Sequence, residues 1–272
     1  MTVCIGTICE KGNVVIVATD RMWTSPYLSI EYEYPESKIE KLSPTCVAAV
    51  AGVVVFPTEA FERVRDKIER EGIRSISGIA YALRDEYAEE RKKRVDDDIF
   101  RPRSMTIDEF YGGRQKALDP NLVQMLDAEV MSYKFELDIL VAGVDRKGHL
   151  YVIFPPGRIE PFERIGYIAI GSGSPHAQST FIIERYSPEV SFDRALYLTY
   201  KAKKIAERAP GVGPSTDMVV VTKEKIFDVP DDVKEELQKT FESEISVVAN
   251  KEQLLQNLNQ NIQKFIKEVL RC

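Results

Sequence analysis

Two apolar, β-rich runs at the start of the chain constrain its fold more than any other feature. Residues 2–9 (TVCIGTIC) and 14–20 (VVIVATD) are rich in valine, isoleucine and threonine, and only the four residues EKGN separate them. Runs of this kind joined by a short segment with glycine and asparagine predict a β-hairpin. The chain therefore begins with an antiparallel pair of strands.

The rest of the chain groups its strands apart from its helices. Further strand patterns lie at 38–43, 45–51, 137–144, 149–154, 166–170 and 217–222. The spacing of apolar residues predicts helices near 57–70, 76–94, 175–187 and 191–208. Hairpins grouped apart from pairs of helices indicate antiparallel sheets with helix layers outside. The predicted class is α+β rather than an alternating βαβ arrangement.

Two segments fall outside this pattern. Residues 91–118 are polar and irregular, which indicates an insertion near 91–133 between core elements. After Pro230, apolar residues recur three and four apart, at Leu255, Leu258, Ile262, Phe265 and Val269. This spacing indicates a terminal helix whose apolar stripe packs either on its own domain or on another subunit. We therefore expect one domain at 2–229, insertion included, and a helical extension at 230–272.

Composition argues against several classes of function. The net charge of −6 does not favour the basic face that nucleic-acid binding requires. No apolar run approaches the length of a membrane span, and the first residues lack the features of a signal peptide. The four cysteines have no CxxC spacing, and the two histidines have no metal-ligand spacing. We expect a cytoplasmic protein that needs no metal and no cofactor.

Thr2 gives the first indication of chemistry. A small residue after Met1 allows Met1 to be removed, which would leave threonine with a free α-amino group beside its own hydroxyl. The hydroxyl can attack a carbonyl carbon, and an amine with a pKa of about 7.7–8.0 can accept the proton near neutral pH. Many chains begin Met-Thr, so Thr2 needs support from elsewhere. That support comes from Asp20, Lys38, Gly52 and the segment GSGSP at 171–175.

The order and spacing of these features resemble those of proteasome β-type subunits. The resemblance rests on MTVCIG, VVIVATDR, the lysine in SKIEKL, the Ala-Gly pair ending at Gly52, and GSGSP. The bacterial HslV peptidase and the Anbu proteins are relatives with a similar start. The matches span residues 2–52 and 137–222, and Lys38 precedes Gly52 by 14 residues, as in the archaeal β-subunit pattern. The resemblance implies an N-terminal nucleophile (Ntn) hydrolase with a four-layer αββα sandwich.

The resemblance also implies a role for each residue. Thr2 would be the nucleophile and, through its amine, the base. Lys38 would lower the pKa of the Thr2 hydroxyl, and Asp20 would keep Lys38 charged and oriented. The backbone N–H of Gly52 would face the developing oxyanion, and Ser172 would bond near the Thr2 amine and help to move its proton. Taken singly, Asp20 could equally be a turn cap or a surface ion pair, and Lys38 a solvated strand residue.

The chain departs from the family pattern in two places. The family has a further Asp and Ser near the catalytic centre, and these positions become Ala209 and Val212 when Asp217 is matched to the last core strand. The segment VVVFPT replaces the family's turn after the Ala-Gly pair. Val50 and Val54 are therefore candidate lining residues of a substrate pocket, which would favour an apolar side chain.

Together these features predict a threonine hydrolase that cleaves peptide or other amide bonds through an acyl-enzyme ester on Thr2. Because the relatives form rings or helical stacks, a homo-oligomer is implied; any ATPase partner is unknown. Three alternatives stay open: an acyl-transfer ligase or transpeptidase, a small-molecule amidase, and a catalytically silent assembly subunit resembling α-type chains. Those silent chains lack the exposed threonine and the lysine, whereas Thr2, Asp20 and Lys38 are all present here.

Overall fold

The computed structural model describes residues 2–25, 30–52, 56 and 58–249. The chain divides into two compact units, and the division falls between Asp228 and Val229. Within the described ranges, no helix has both the length and the apolar character that crossing a membrane requires. The strands of the described residues lie in the first unit, so that unit carries the sheet architecture described next.

The first unit alternates blocks of strands with blocks of helices. Its strands are β1 (Cys4–Cys9), β2 (Val14–Thr19), β3 (Met22–Ser25), β4 (Ile30–Glu33), β5 (Ile39–Ser43), β6 (Cys46–Gly52), β7 (Leu137–Val144), β8 (Gly148–Phe154), β9 (Arg158–Pro161), β10 (Tyr167–Ile170), β11 (Asp217–Val221) and β12 (Ile226–Asp228). Its α-helices are α1 (Thr58–Glu71), α2 (Ile76–Val95), α3 (Ile107–Tyr111), α4 (Pro120–Ser132), α5 (Ser174–Ile183) and α6 (Phe192–Ala206).

Two five-stranded antiparallel sheets contain most of the strands. The first has the order β10-β1-β2-β11-β12 and the second the order β5-β6-β7-β8-β9, while β3 and β4 form a separate hairpin. The predicted first hairpin is confirmed, because β1 pairs antiparallel with β2 from Cys4 opposite Thr19 to Cys9 opposite Val14. The prediction of an α+β protein with antiparallel sheets is therefore correct.

Strand alternation sorts the side chains of the second sheet between two apolar cores. In β6, Cys46 and Ala48 belong to the core under α1 and α2, whereas Val47 and Ala49 belong to a core shared with the first sheet. The shared core combines residues of both sheets: Cys4, Ile8, Val15, Val17, Leu140, Ala142, Leu150 and Val152. Because both faces of this sheet are covered, its central strands are hydrophobic almost without interruption.

The helices α5 and α6 contact the first sheet at β1, β2 and β10. Thr7 of β1 lies on the strand face opposite to Cys4 and Ile8, and its hydroxyl bonds the hydroxyl of Thr199 on α6 at 2.8 Å. Thr199 also donates to the carbonyl oxygen of Ala195 within the helix. The first sheet is thus covered by helices on the face that does not meet the second sheet.

The expectation that residues 91–118 are irregular is wrong. A π-helical turn at Asp96–Phe100 and a 3₁₀ turn at Arg101–Arg103 follow α2, and α3 and α4 come next. The side chains of Thr106 and Asp119 cap these two helices. The sequence does not indicate these helices, because their apolar residues are few and are separated by charged ones. They fold into one small core: Val95, Ile99, Phe100, Met105, Phe110, Leu126 and Val130.

The second unit contributes the helix α7 (Asp231–Ala249) to the described residues. Asp231 and Asp232 lie in its first turn, where negative charge interacts favourably with the N-terminal end of the helix dipole. The apolar seam predicted at 255–269 lies outside the described residues. Its packing therefore stays a prediction.

Candidate active site

Thr2 lies just before β1 and is buried, with 3% of its surface exposed. Its carbonyl oxygen accepts a hydrogen bond from the Gly173 N–H at 3.3 Å, on the loop that follows β10. Gly171 lies in the same loop with φ of +88°, and a Cβ atom there would come within 2.3 Å of the Thr2 carbonyl oxygen. Only glycine fits that position without displacing Thr2. The GSGSP segment therefore forms one wall of the Thr2 site.

Asp20 follows β2 and is completely buried. Its Oδ1 accepts hydrogen bonds from the Thr2 hydroxyl and from the Val3 N–H, the latter at 3.0 Å. Its Oδ2 accepts from the N–H groups of Met22 at 2.9 Å and Gly213 at 3.0 Å. With the Lys38 ammonium described next, Oδ1 has three donors and Oδ2 has two, and the complete burial of Asp20 excludes a surface ion pair for this residue.

Lys38 immediately precedes β5 and has 5% of its surface exposed, so it is not a solvated strand residue. Its ammonium contacts the Thr2 hydroxyl and the Met22 carbonyl oxygen, and lies 3.1 Å from Asp20 Oδ1. These three acceptors match the three protons of the ammonium. The Trp23 ring, with its centroid 5.7 Å away, adds a cation–π contact. The structure therefore brings Thr2, Asp20 and Lys38 into one buried cluster.

Ser172 contacts both ends of the Thr2 backbone from the exposed side of the site. Its Oγ lies 3.3 Å from the Thr2 nitrogen and accepts a hydrogen bond from it. The same hydroxyl lies 3.3 Å from the Thr2 carbonyl oxygen and 3.2 Å from the Pro210 carbonyl oxygen, to either of which it can donate. A hydroxyl in this position can accept a proton on one side and release one on the other.

A cavity of about 270 Å³ opens beside Thr2. It is lined by Thr2, Ala51, Gly52, Glu136, Asp138, Pro155, Gly171 and Ser172. Gly52 ends β6 opposite Leu137, and a Cβ atom on it would come within 2.4 Å of the Glu136 carbonyl oxygen. Glycine is therefore required where β6 meets the cavity.

Val50, one of the two residues expected to line an apolar pocket, does not line this cavity. Val50 packs against the core under α1 and α2, because strand alternation turns its neighbour Ala51 toward the cavity instead. Val54 lies outside the described residues. The cavity wall carries two carboxyl groups, Glu136 and Asp138, and burial raises the pKa of Asp138 above its ordinary value. The structure thus does not place Val50 in this wall.

The segment before β11 supplies backbone rather than side-chain groups. Ala209 and Val212 are buried and apolar, so neither replaces the polar residues of the family pattern. The Ser215 hydroxyl donates to the Glu33 carboxylate at 2.5 Å. The group of this segment that contacts the site is the Gly213 N–H, which donates to Asp20, and no motif in the sequence indicates it. The register of β11 on β2, with Asp217 opposite Thr19, is the signal that places this segment beside Asp20.

Other charged or reactive side chains of the first unit have structural partners. Arg21 forms a two-point ion pair with Asp217, at 2.9 and 2.5 Å, and so joins the end of β2 to β11. The Cys4 thiol lies 3.3 Å from the Val50 carbonyl oxygen, and burial raises its pKa, which disfavours the nucleophilic thiolate. His149 bonds two carboxylates, those of Asp145 and Glu163. Within the described residues, no group of three or more His, Cys, Asp or Glu is arranged to hold a metal ion.

The chain is similar in sequence to known proteasome subunits. The sequence model of the proteasome subunit family matches residues 114–221. Proteasome subunit beta 1 of Pyrobaculum calidifontis is 26% identical over 230 residues, covering 84% of this chain and 93% of that protein. Proteasome subunit beta 2 of Pyrobaculum islandicum is 34% identical over 107 residues, covering 38% of this chain and 52% of that protein.

A third relative, proteasome subunit beta 1 of Pyrobaculum neutrophilum, is 32% identical over 108 residues, covering 39% of this chain and 53% of that protein. The chain thus spans about half the length of two of these three relatives in the matched regions. The family model includes Ser172 but not Thr2, Asp20 or Lys38, whose arrangement is known from the geometry alone. Taken together, the family model and the three relatives show that the chain is similar to proteasome β subunits.

Proposed function

We propose that this protein is an N-terminal threonine hydrolase that cleaves peptide or other amide bonds through an acyl-enzyme ester on Thr2. The observation that carries the proposal is the position of the Lys38 ammonium. It contacts the Thr2 hydroxyl while Asp20 lies 3.1 Å from it, and all three side chains are buried. A buried cation beside a hydroxyl stabilises the alkoxide that develops when the hydroxyl attacks.

The first step follows from these contacts. Thr2 Oγ1 attacks the carbonyl carbon of the substrate, and its proton passes to the Thr2 amine once Met1 has been removed. The free amine suits this task because its unperturbed pKa is about 7.7–8.0. Ser172 Oγ, at 3.3 Å from the Thr2 nitrogen, is placed to pass that proton onward. Asp20 holds the Lys38 ammonium in place.

Collapse of the tetrahedral intermediate completes acylation. The carbon–nitrogen bond of the substrate breaks, the leaving amine takes up the proton, and the acyl group remains on Thr2 as an ester. The Gly52 N–H is the group we assign to the oxyanion, since Gly52 ends β6 in the wall of the same cavity. Water then hydrolyses the ester, with the Thr2 amine acting as base.

The fold and the assembly of the chain are part of this proposal. We infer a four-layer αββα sandwich at 2–229, which the shared core between the two sheets and the helices on their outer faces support. We infer a helical extension at 230–272 and a homo-oligomer, as a ring or a helical stack, on the strength of the family. Light scattering on the full chain tests the assembly, and a monomer would contradict it. Deleting residues 250–272 should yield smaller species if the predicted seam joins subunits.

Hydrolysis of fluorogenic peptides tests the activity directly. The protein is first checked by intact mass for loss of Met1, and peptides ending in basic, acidic or apolar residues are then compared. Thr2→Ala should abolish release of the fluorophore, whereas Thr2→Ser should retain part of it because serine keeps both hydroxyl and amine. Insertion of a lysine between Met1 and Thr2, which retains Met1, should also abolish turnover.

Two results would overturn the proposal. Full activity in the variant that retains Met1 would show that the Thr2 amine is not the base. No turnover and no acylation in the protein that has lost Met1 would favour a silent assembly subunit. An added amine that diverts the product from acid to amide would instead assign the same site to acyl transfer.

A further inference from the structure

A second lysine, Lys203 on α6, is completely buried behind the proposed site. Its ammonium donates to the carbonyl oxygens of Gly213 and Pro214, each at 2.9 Å, and lies 2.6 Å from the Glu207 carboxylate. All three of its protons thus have acceptors. Burial lowers the pKa of Lys203 to about 8, against the opposing effect of Glu207. A charged group is held here although burial disfavours its charge, so its contacts need an explanation.

The explanation lies in the residue that Lys203 holds. Gly213 accepts a hydrogen bond from Lys203 at its carbonyl oxygen and donates its own N–H to Asp20 Oδ2 at 3.0 Å. Asp20 in turn binds Lys38 and the Thr2 hydroxyl. One glycine therefore connects the buried ammonium on α6 to the carboxylate that orients the nucleophile.

The chain around Gly213 is held by side chains rather than by a sheet or a helix: besides the Lys203 contacts, the Glu33 carboxylate accepts hydrogen bonds from the Ser215 N–H at 3.0 Å and the Ser215 hydroxyl at 2.5 Å. It lies between the end of α6 at Ala206 and the start of β11 at Asp217, in a stretch without a strand or a helix. Gly211 adopts φ of +74°, and a Cβ atom on Gly213 would come within 2.5 Å of a Glu33 carboxylate oxygen. The position of the Gly213 peptide is thus sensitive to what holds its carbonyl oxygen.

We propose that Lys203 is a positioning residue of the active site, because its ammonium fixes the Gly213 peptide whose N–H fixes Asp20. The inference rests on the proposed function of Thr2. Lys203 touches neither the substrate cavity nor the reacting atoms, and acts only through Gly213 and Asp20. Loss of its contacts lets the Gly213 peptide move, frees Asp20 Oδ2, and loosens the alignment of Lys38 on the Thr2 hydroxyl.

A pair of matched variants separates positioning from stability. Lys203→Met removes the charge and its donors at similar side-chain volume. Lys201→Met is the control, since Lys201 lies on the same helix, is also buried, and binds Glu184 at 2.5 Å rather than the segment around Gly213. Both variants should unfold at lower temperature than the wild type.

Only Lys203→Met should slow acylation of Thr2 by a peptide β-lactone, by about 10- to 100-fold, because small misplacements of reacting groups cost up to about 10²-fold. In peptide hydrolysis kcat should fall while KM stays near the wild-type value, since the cavity wall is unchanged. Equal rates in the two variants, at equal folded fraction, would overturn the inference.

A crystal structure of Lys203→Met supplies a readout that does not need activity. The distance from the Gly213 nitrogen to Asp20 Oδ2, 3.0 Å in the wild type, should lengthen beyond hydrogen-bond reach. An unchanged distance would overturn the positioning role even if the rate fell. If the wild type itself is not acylated, the proposed function fails and this distance alone decides the role of Lys203. Should Lys203→Met not fold, Lys203→Gln, whose shorter side chain is uncharged and keeps only the two donors of an amide NH2, takes its place in both measurements.

Discussion

The two sides of the cavity beside Thr2 differ in how their polar groups are satisfied. On the catalytic side, Asp20 and Lys38 are buried, and their polar atoms are held by several backbone and side-chain partners. On the opposite side, the half-buried Asp138 carboxyl group has no ion pair or hydrogen bond with any described residue, and the Glu136 carboxylate lies 3.8 Å from the Lys134 ammonium. The first side is fixed by its own contacts, whereas the second leaves charge available to a substrate.

This difference assigns separate tasks to the two sides. A group held by three to five hydrogen bonds, as Lys38 and Asp20 are, keeps its geometry before substrate binds, which is what stabilisation of a developing charge requires. A carboxyl group without an internal partner adds nothing to that alignment but discriminates among ligands by charge. Changes on the catalytic side should therefore alter the rate for every substrate, and changes on the opposite side should alter the choice of substrate.

The largest effect is expected from the catalytic side. Lys38→Ala should lower kcat for every peptide by at least about 10²–10³-fold, the cost of removing one preorganised group at a developing charge. Lys41→Ala is the control on the same strand, since Lys41 is half-exposed and pairs with exposed Asp228 at 2.9 Å. Steady-state kinetics on both variants checks the prediction. A loss confined to one class of peptide would show that Lys38 belongs to specificity instead.

The pH dependence of stability tests the buried ammonium of Lys203, which holds Asp20 in place through Gly213 on the catalytic side. Burial lowers the pKa of Lys203 from 10.5 to about 8. Below about pH 8, Lys203 is protonated in both the folded and the unfolded chain, and burial of its charge opposes folding. As pH rises from about 8 toward 10.5, Lys203 loses its proton in the folded chain but keeps it in the unfolded chain. Because the unfolded state then binds more protons, the free energy of unfolding increases with pH. The free energy of unfolding of the wild type minus that of Lys203→Met should therefore rise over this pH range by up to about 3 kcal/mol, at about 1.36 kcal/mol per pKa unit.

Urea unfolding of both proteins at the two ends of this pH range measures the difference. Subtracting the variant removes the titration of the other lysines and tyrosines, which both proteins share. A difference that stays flat, or that falls as pH rises, would contradict the assignment of a buried, destabilised charge to Lys203.

Two glycines test whether crowding at Thr2 matters for catalysis. Gly171→Ala places a Cβ atom 2.3 Å from the Thr2 carbonyl oxygen and should lower kcat by about 10²-fold, because the nucleophile is displaced. Gly72→Ala is the matched control: Gly72 also has a positive φ, of +64°, but nothing lies within 4 Å of the added Cβ. It should cost about 1 kcal/mol of stability and leave kcat unchanged. Equal kinetics in the two variants would remove the loop at Gly171 from the site.

The smallest effect is expected on the opposite side. Asp138→Asn should lower kcat/KM for peptides with a cationic residue by about fivefold relative to neutral ones, since a half-exposed charge pair contributes about 1 kcal/mol. Glu136→Gln should change this ratio less, because Glu136 is exposed and already near Lys134. The preference should also weaken at low pH, since burial raises the pKa of the Asp138 carboxyl. A uniform loss across all peptides would place Asp138 on the catalytic side.

The sequence predicts the strands and most helices well, for a physical reason. The central strands are covered on both faces, so their runs are continuously apolar and their ends are sharp, as at Cys4–Cys9 and Leu137–Val144. The helical insertion escapes prediction because its seven core residues are separated by charged ones and meet only after the chain turns. The hairpin of β3 and β4 escapes because its second strand is exposed along its whole length.

The residues of the site also differ in whether the sequence indicates them. Thr2, Asp20 and Lys38 can be singled out because their order along the chain matches a known family, and the structure places them in contact. Lys203 carries no such signal, since a lysine in a helix is usually solvated and its burial depends on the loop that closes over it. The sequence does not separate Val50 from Ala51 as a pocket residue, because spacing alone does not say which face of β6 meets the cavity.

One measurement tests the central claim most directly: mass-spectrometric mapping after reaction with a peptide epoxyketone. This reagent captures a hydroxyl together with an adjacent free amine, the pair that Thr2 presents once Met1 is removed. We predict one adduct per chain on Thr2, none in Thr2→Ala, none when an inserted lysine retains Met1, and slowed formation in Lys38→Ala. An adduct on another residue, or equal labelling of the variant that retains Met1, would contradict the account of Thr2 as an N-terminal nucleophile.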